Sequence, residues 1–215
     1  MEEKFTKYPL IKKLNVSRET CLDFDKFISM IIDKNKEINI ISRESANREV
    51  IINRHIIDSA QAIEFIDFNC NTTSDLGSGG GFPGLVIAIM TKNMKKDIKT
   101  YLYEKSHHKG SFLKEVSRKL NLNTEVIQKD IFEFTELKSG TIMARAFKPM
   151  PVVLDLVYRN FTNYKNLILF MGKTGKDILN KTLVNWELEF EKKKSISNEE
   201  SFLLNIKKIK KKSNN

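Results

Sequence analysis

Leu22, Phe24, Phe27, Ile28, Ile31 and Ile32 recur at mixed three- and four-residue steps, the repeat of one helical face. A second run, with Ile51, Ile52, Ile56, Ala60, Ile63 and Phe65 among its apolar positions, predicts another helix over Arg48–Phe68. No glycine or proline interrupts residues 10 to 76, so the pattern predicts a continuous helical extension over residues 1–70. The character changes at Thr73. From there, short β-rich runs at Ser74–Leu76, Thr100–Glu104, Glu125–Gln128, Thr141–Ala144 and Asn166–Met171 alternate with helical stretches. Those helices are expected at Pro83–Met90, His108–Leu120, Pro149–Tyr158 and Thr174–Lys181. Repeated β-α-β units with short apolar strands predict an α/β core over residues 71–208, with a parallel sheet covered on both faces. Trp186–Lys192 and Ser201–Ile206 bracket a polar turn and predict a closing hairpin, followed by a basic tail over residues 209–215.

Composition adds a location and a class of partner. The 215 residues are 40% hydrophobic and 30% charged, ordinary for a soluble domain, and no apolar run approaches the ~18 residues of a membrane span. The N-terminal MEEKFTKYPLIKK lacks the apolar stretch of a signal peptide, and Cys21 and Cys70 show no metal-ligand spacing. A cytoplasmic protein that meets no membrane is expected, with a monomer as the default. The net charge of +10 points to a polyanion, although much of the excess sits in Lys207 to Lys212, which reads equally as a solvated tail.

The segment with most chemistry is Ser74-Asp75-Leu76-Gly77-Ser78-Gly79-Gly80-Gly81-Phe82-Pro83-Gly84, between a strand and a helix. Gly77, Gly79 and Gly81 permit a tight turn and a close backbone approach to a ligand. Phe82 stands where a dinucleotide fingerprint wants its last glycine. Asp75 precedes the turn, where it opposes a polyphosphate but can pair with an ammonium, and S-adenosylmethionine carries an ammonium and no phosphate. The next strand ends in Glu104, a carboxylate suited to both ribose hydroxyls. The third ends near Asp130, where an acid and loop backbone can meet an adenine amino group.

Several segments, in order, resemble the rRNA small-subunit methyltransferase G family, also called GidB. They are Glu37-Ile38-Asn39-Ile40-Ile41-Ser42, Arg54-His55-Ile56-Ile57-Asp58-Ser59, the glycine loop from Asp75 to Gly84, and Ala144-Arg145-Ala146-Phe147. Lys109 to Leu120 also agrees, and the likeness covers roughly residues 25 to 175. It implies a class I S-adenosylmethionine-dependent methyltransferase, Rossmann-like, with a mostly parallel seven-stranded sheet and helices on both faces. It further implies methylation at N7 of guanine 527 in 16S rRNA, as free RNA or in the small subunit. Gly77, Phe82, Ile131, Phe132 and Arg145 match the family's cofactor contacts by position, while Glu104 matches the acid of the wider fold class.

Two positions depart from the family pattern. Many members place Lys where Met171 stands, with Lys173 as the neighbouring cation here, and many place a basic or small residue where Asp130 stands. Guanine N7 has a free lone pair and no proton to lose, so the reaction needs alignment more than a base. Arg145 is expected to anchor a guanine edge or a phosphate, with Lys148 and Lys173 as further substrate contacts. His55 and Asp58, three residues apart, are expected to share a helical face and to join the extension to the core by a hydrogen bond. Three other readings stay open: a class I methyltransferase with another RNA, protein or small-molecule substrate, an RNA-binding relative without catalysis, and an NAD-dependent oxidoreductase.

Overall fold

A computed structural model describes residue 14 and residues 16–212. The N-terminal MEEKFTKYPLIKK stretch and the last residues of the basic tail, 213–215, lie outside the described residues. Helix α1 spans Arg18–Asn35, and Ser17 caps it by accepting the Thr20 amide at 3.2 Å, satisfying one orphan donor of the first turn. Phe24, Phe27, Ile28 and Ile31 are buried, as their spacing predicts. Past the helix, Asn35 Oδ1 accepts the amides of Ile40 and Ile41 at 2.8 and 3.0 Å and folds the chain back.

The second helix differs from expectation. Instead of one α-helix to Phe68, the chain forms an α turn at Arg48–Val50, a π segment at Ile51–Ile57, an α turn at Asp58–Ala60 and a 3-10 turn at Gln61–Phe65. The buried isoleucines fit the wider turn. Ile51 and Ile56, like Ile52 and Ile57, are five residues apart, the step that an i→i+5 ladder brings together on one side. All four are fully buried, which a regular α-helix would not achieve at that spacing.

From Thr72 the chain alternates. Strand β1 (Thr72–Leu76), helix α2 (Gly84–Asn93), strand β2 (Lys99–Tyr103), helix α3 (His107–Lys119) and strand β3 (Thr124–Ile127) make the first half. Strands β4 (Leu137–Lys138) and β5 (Thr141–Arg145), helix α4 (Met150–Asn160), strands β6 (Phe161–Thr162) and β7 (Asn166–Met171) and helix α5 (Gly175–Thr182) follow. Strands β8 (Trp186–Lys194) and β9 (Phe202–Lys211) close the chain as the expected hairpin. The seven-stranded sheet runs β3-β2-β1-β5-β7-β9-β8, parallel except around β9, which is antiparallel to both neighbours. This is the Rossmann-like arrangement of class I methyltransferases expected from the sequence. A small parallel pair, β4 with β6, stands apart.

Alternate residues divide the sheet between two cores. Leu76, Tyr103, Ile142, Ala144, Leu167 and Leu169 face α4 and α5. On the opposite face Leu102 joins a cluster with Phe27, Ile51, Leu85 and Phe112, so the N-terminal helices share one core with α2 and α3 rather than a core of their own. Strand β9 runs to Lys211 and buries Ile209 against the α4 side, so the basic end begins later than residue 209. The β8–β9 turn docks on the π-containing helix: Ser195 Oγ donates to Asp58 Oδ1 at 3.1 Å, and Gln61 Oε1 accepts the Ile196 amide at 2.8 Å.

Candidate functional site

In an open α/β sheet, ligands sit outside the carboxyl ends of the strands where strand order reverses. Here that point lies between β1 and β5, and a cavity of about 410 Å³ opens there. The glycine loop forms one wall. Gly77, Gly79 and Gly81 have φ of 73°, 54° and 94°, the left-handed conformations that a side chain would strain. A Cβ on Gly77 would also come within 2.3 Å of the Phe147 ring, so loop and β5 end approach as closely as a bare glycine permits.

Glu104 fastens the loop to β2. Its two carboxylate oxygens accept the amides of Gly79 and Ser106, each at 2.8 Å, and the Ser78 amide donates to the Tyr103 carbonyl at 2.9 Å. A carboxylate offers about four acceptor sites, so two remain for ligand hydroxyls.

Asp75 occupies a different place from the one its position suggests. The side chain is fully buried beneath the loop and is no part of the cavity wall, so it is out of reach of a ligand's ammonium there. Its Oδ2 accepts the Gly84 amide at 2.9 Å, and its Oδ1 is buried with no partner among the described residues. Burial pushes the carboxyl up to about 7, against the opposing pull of the Gly84 amide, Ser78 and Arg145. The group is a structural acid under the turn.

Arg145, at the end of β5, lines the cavity and is largely engaged by the π segment. It donates to the Arg54 carbonyl at 2.6 Å and to Ser59 Oγ at 3.3 Å, and its Nε lies 3.6 Å from Asp58 Oδ2. It also stands 3.2 Å from His55 Nδ1. A guanidinium only donates, so Nδ1 accepts and the imidazole proton sits on Nε2, which is buried without a partner among the described residues. Burial, with the Arg145 and Arg54 charges, lowers His55 to about 4 and keeps it neutral. The ring stacks on Phe82 at 4.8 Å between centroids. The expected join between the extension and the core is present: His55 and Asp58 do not bond to each other, and both reach Arg145 at the end of β5.

The other expected residues divide. Asp130 and Ile131 line the cavity floor, and Asp130 Oδ1 accepts the Phe132 amide at 3.2 Å. Phe132 itself lines an outer groove with Pro151 and Val152. Lys148 lies on the cavity rim, whereas Lys173 stands outside it, 3.1 Å from Glu200. Sequence reasoning missed Lys105, Lys109 and Lys129, which complete the basic rim. Lys105, Lys129 and Lys148 each fall within the loop after a strand of the carboxyl edge, and that repetition was the available signal.

The profile of the GidB family, described as rRNA small subunit methyltransferase G, matches residues 20–205. The protein of that name from Pelagibacter ubique (strain HTCC1062) is 65% identical over 212 residues, 99% of this chain and 100% of its own. The one from Bartonella henselae is 35% identical over 207 residues, 94% of each. Among solved structures, a SAM-dependent methyltransferase from Aquifex aeolicus superposes with a TM-score of 0.56 at 13% identity, covering 81% of this chain and 95% of that one. A mutant of MtNAS in complex with S-adenosylmethionine gives 0.59 at 13% identity, over 88% and 76%. The structural likenesses establish the shared fold, and the profile and sequence matches establish something narrower: this chain belongs to the rRNA small subunit methyltransferase G family.

Proposed function

We propose that this chain methylates N7 of guanine 527 in 16S rRNA, presented as RNA or within the small ribosomal subunit. The methyl donor of this family is S-adenosylmethionine, and its sulfonium supplies an activated methyl group for in-line displacement. The observation that carries the reading is one cavity at the reversal of strand order, bounded by the glycine loop and Glu104 and rimmed by Lys105, Lys129 and Lys148. Its volume falls within the ~300–1,000 Å³ of small-molecule sites. The residues fit the cofactor. Gly79 offers a bare edge, where a Cβ would meet nothing nearer than the Gly77 carbonyl at 3.8 Å. Glu104 keeps acceptor sites for the ribose, and Asp130 with Ile131 stands where the adenine would lie.

The chain's own contribution is alignment. The rim lysines attract phosphates, and the loop holds donor and acceptor at reacting distance, which can supply several kcal/mol of the barrier. A base is unnecessary, since N7 has no proton to lose. That matches a site where Asp75 is sealed beneath the loop and His55 is held by Arg145.

The test is transfer of label from S-adenosylmethionine to small subunits from a strain lacking the modification, followed by mapping of the base. Label at N7 of guanine 527 is expected. Label at another nucleotide would keep the enzyme and replace the substrate position, and binding of the cofactor without any transfer would overturn the reading.

A further inference from the structure

Two aromatic rings stand together beside the cavity, Phe147 on its wall and Phe132 against it in the outer groove. Phe132, on the 3-10 turn Ile131–Glu133, leaves 44% of its surface exposed. Phe147 follows Ala146, whose φ of 49° is left-handed and strained for a residue with a side chain. The two rings are nearly parallel, at 20°, with centroids 6.1 Å apart. Phe147 lies at a junction: it borders the main cavity, packs over Gly77 of the loop, and borders a second cavity of about 150 Å³ reaching toward Met171 and Gly172. Phe132 lines the outer groove that contains Arg159.

The surroundings define what these rings suit. Lys129 and Lys148, each one to three residues from a ring, line the cavity rim beside them. Cations that hold phosphates beside exposed aromatic faces are the pattern by which proteins grip unstacked bases. An enzyme that does chemistry on a base must take it out of its stack, and the base then needs a flat apolar surface to lie against.

We propose that Phe132 and Phe147 form one stacking surface against which the extruded target guanine lies, its N7 edge toward the main cavity, while Lys129 and Lys148 hold its flanking phosphates. The proposal rests on the reading of this chain as a guanine methyltransferase of 16S rRNA. Left-handed Ala146 has a function in it: it turns Phe147 away from the path of β5 and over Gly77 of the glycine loop.

The experiment compares the unaltered chain with Phe132→Leu, Phe132→Tyr and Phe147→Leu. Labelled S-adenosylmethionine and small subunits lacking the modification serve as substrates, and cofactor affinity is titrated separately. Leucine keeps apolar bulk without a π face. Phe132→Leu and Phe147→Leu are expected to reduce kcat/KM for the subunit roughly tenfold to a hundredfold. In Phe132→Leu the cofactor affinity is expected to fall less than transfer does, because the ring faces the outer groove and not the cavity wall formed by Asp130 and Ile131. Phe132→Tyr, which keeps the face, is expected to retain most of the activity. Unchanged transfer in Phe132→Leu, equal losses in the Leu and Tyr variants, or a fall in cofactor affinity that matches the fall in transfer would each overturn the stacking surface while leaving the methyltransferase reading intact. Absence of transfer by the unaltered chain would remove that reading, and the stacking surface with it.

Discussion

The guanidinium of Arg145 stands 3.2 Å from Nδ1 of His55, joining the end of β5 to the middle of a π segment. Insertions of this kind are common at functional sites because they re-aim side chains that a regular helix would stack. The widened turn frees the Arg54 carbonyl side of the helix for Arg145, and His55 is left lying on Phe82 of the glycine loop. One cation thereby fixes three segments around the cavity.

Removing that cation should therefore cost stability before it costs substrate contact. Arg145→Ala removes a donor from the Arg54 carbonyl and Ser59 and the cation beside Asp58 Oδ2, an expected loss of roughly 2–3 kcal/mol. Arg145→Lys keeps the charge without the planar fork and should recover only part of it. Urea unfolding midpoints check this, and an unaltered midpoint in Arg145→Ala would free Arg145 for a role in RNA contact alone.

Two buried groups give stability opposite slopes with pH. His55 is lowered from 6.5 to about 4, so the unfolded chain takes up the proton first and the stabilisation is lost as pH falls through that window. Asp75 is raised from 3.8 to about 7, so its contribution is full below 3.8 and is lost as pH rises through 7. Asp75→Asn stays neutral throughout and should remove the second slope alone. Relative to the parent, the variant should gain on the order of 2–4 kcal/mol between about pH 4 and about pH 8. Denaturation at both pH values checks it, and parallel curves for the two proteins would show that Asp75 does not titrate in that window.

How much of this was visible in the sequence depends on the kind of interaction. Strand β7 lies within the bounds its unbroken apolar run predicts, because a strand buried on both faces carries its own signal. The π segment was hidden, since a five-residue isoleucine step reads as noise in a 3.6-residue pattern. Asp75 shows the same limit. Its place before the glycine loop suggested a ligand contact, but the sequence could not reveal that Gly84 would bring its amide within 2.9 Å and seal the carboxyl below. Glu104 reached the cavity rim because a strand end determines where its last side chain goes. Phe132 sits within a 3-10 turn, and its ring lies in the outer groove.

The glycines of the loop should rank by what surrounds them. Gly79 has φ of 54° and open space, so Gly79→Ala is expected to cost only the left-handed strain, about 1–2 kcal/mol. Gly81 has φ of 94°, and a Cβ there would meet Leu85 Cδ1 at 2.4 Å and Phe27 Cζ at 3.1 Å. Gly81→Ala therefore adds overpacking against α1 and α2, for a total of roughly 3 kcal/mol or more. Thermal or urea unfolding of the two variants decides the order, and a costlier Gly79 variant would mean the loop is held less tightly against α1 than its contacts indicate.

Lys148 and Lys173 offer the last contrast, because both are exposed cations near the carboxyl edge and only one faces the cavity. Lys173 stands outside the cavity and is paired with Glu200 at 3.1 Å, so it is not placed to meet a phosphate held at the cavity rim. Lys148 sits on the rim between Phe147 and Pro149. Each phosphate contact releases condensed counterions, so its loss flattens the dependence of binding on salt. Lys148→Ala is expected to weaken binding of small-subunit RNA and to reduce the slope of log K against log salt by about 1. Lys173→Ala should leave the slope nearly unchanged. Binding titrations across a series of salt concentrations separate the two, and a larger change for Lys173 would move the path of the RNA from the cavity rim to the β7–α5 loop.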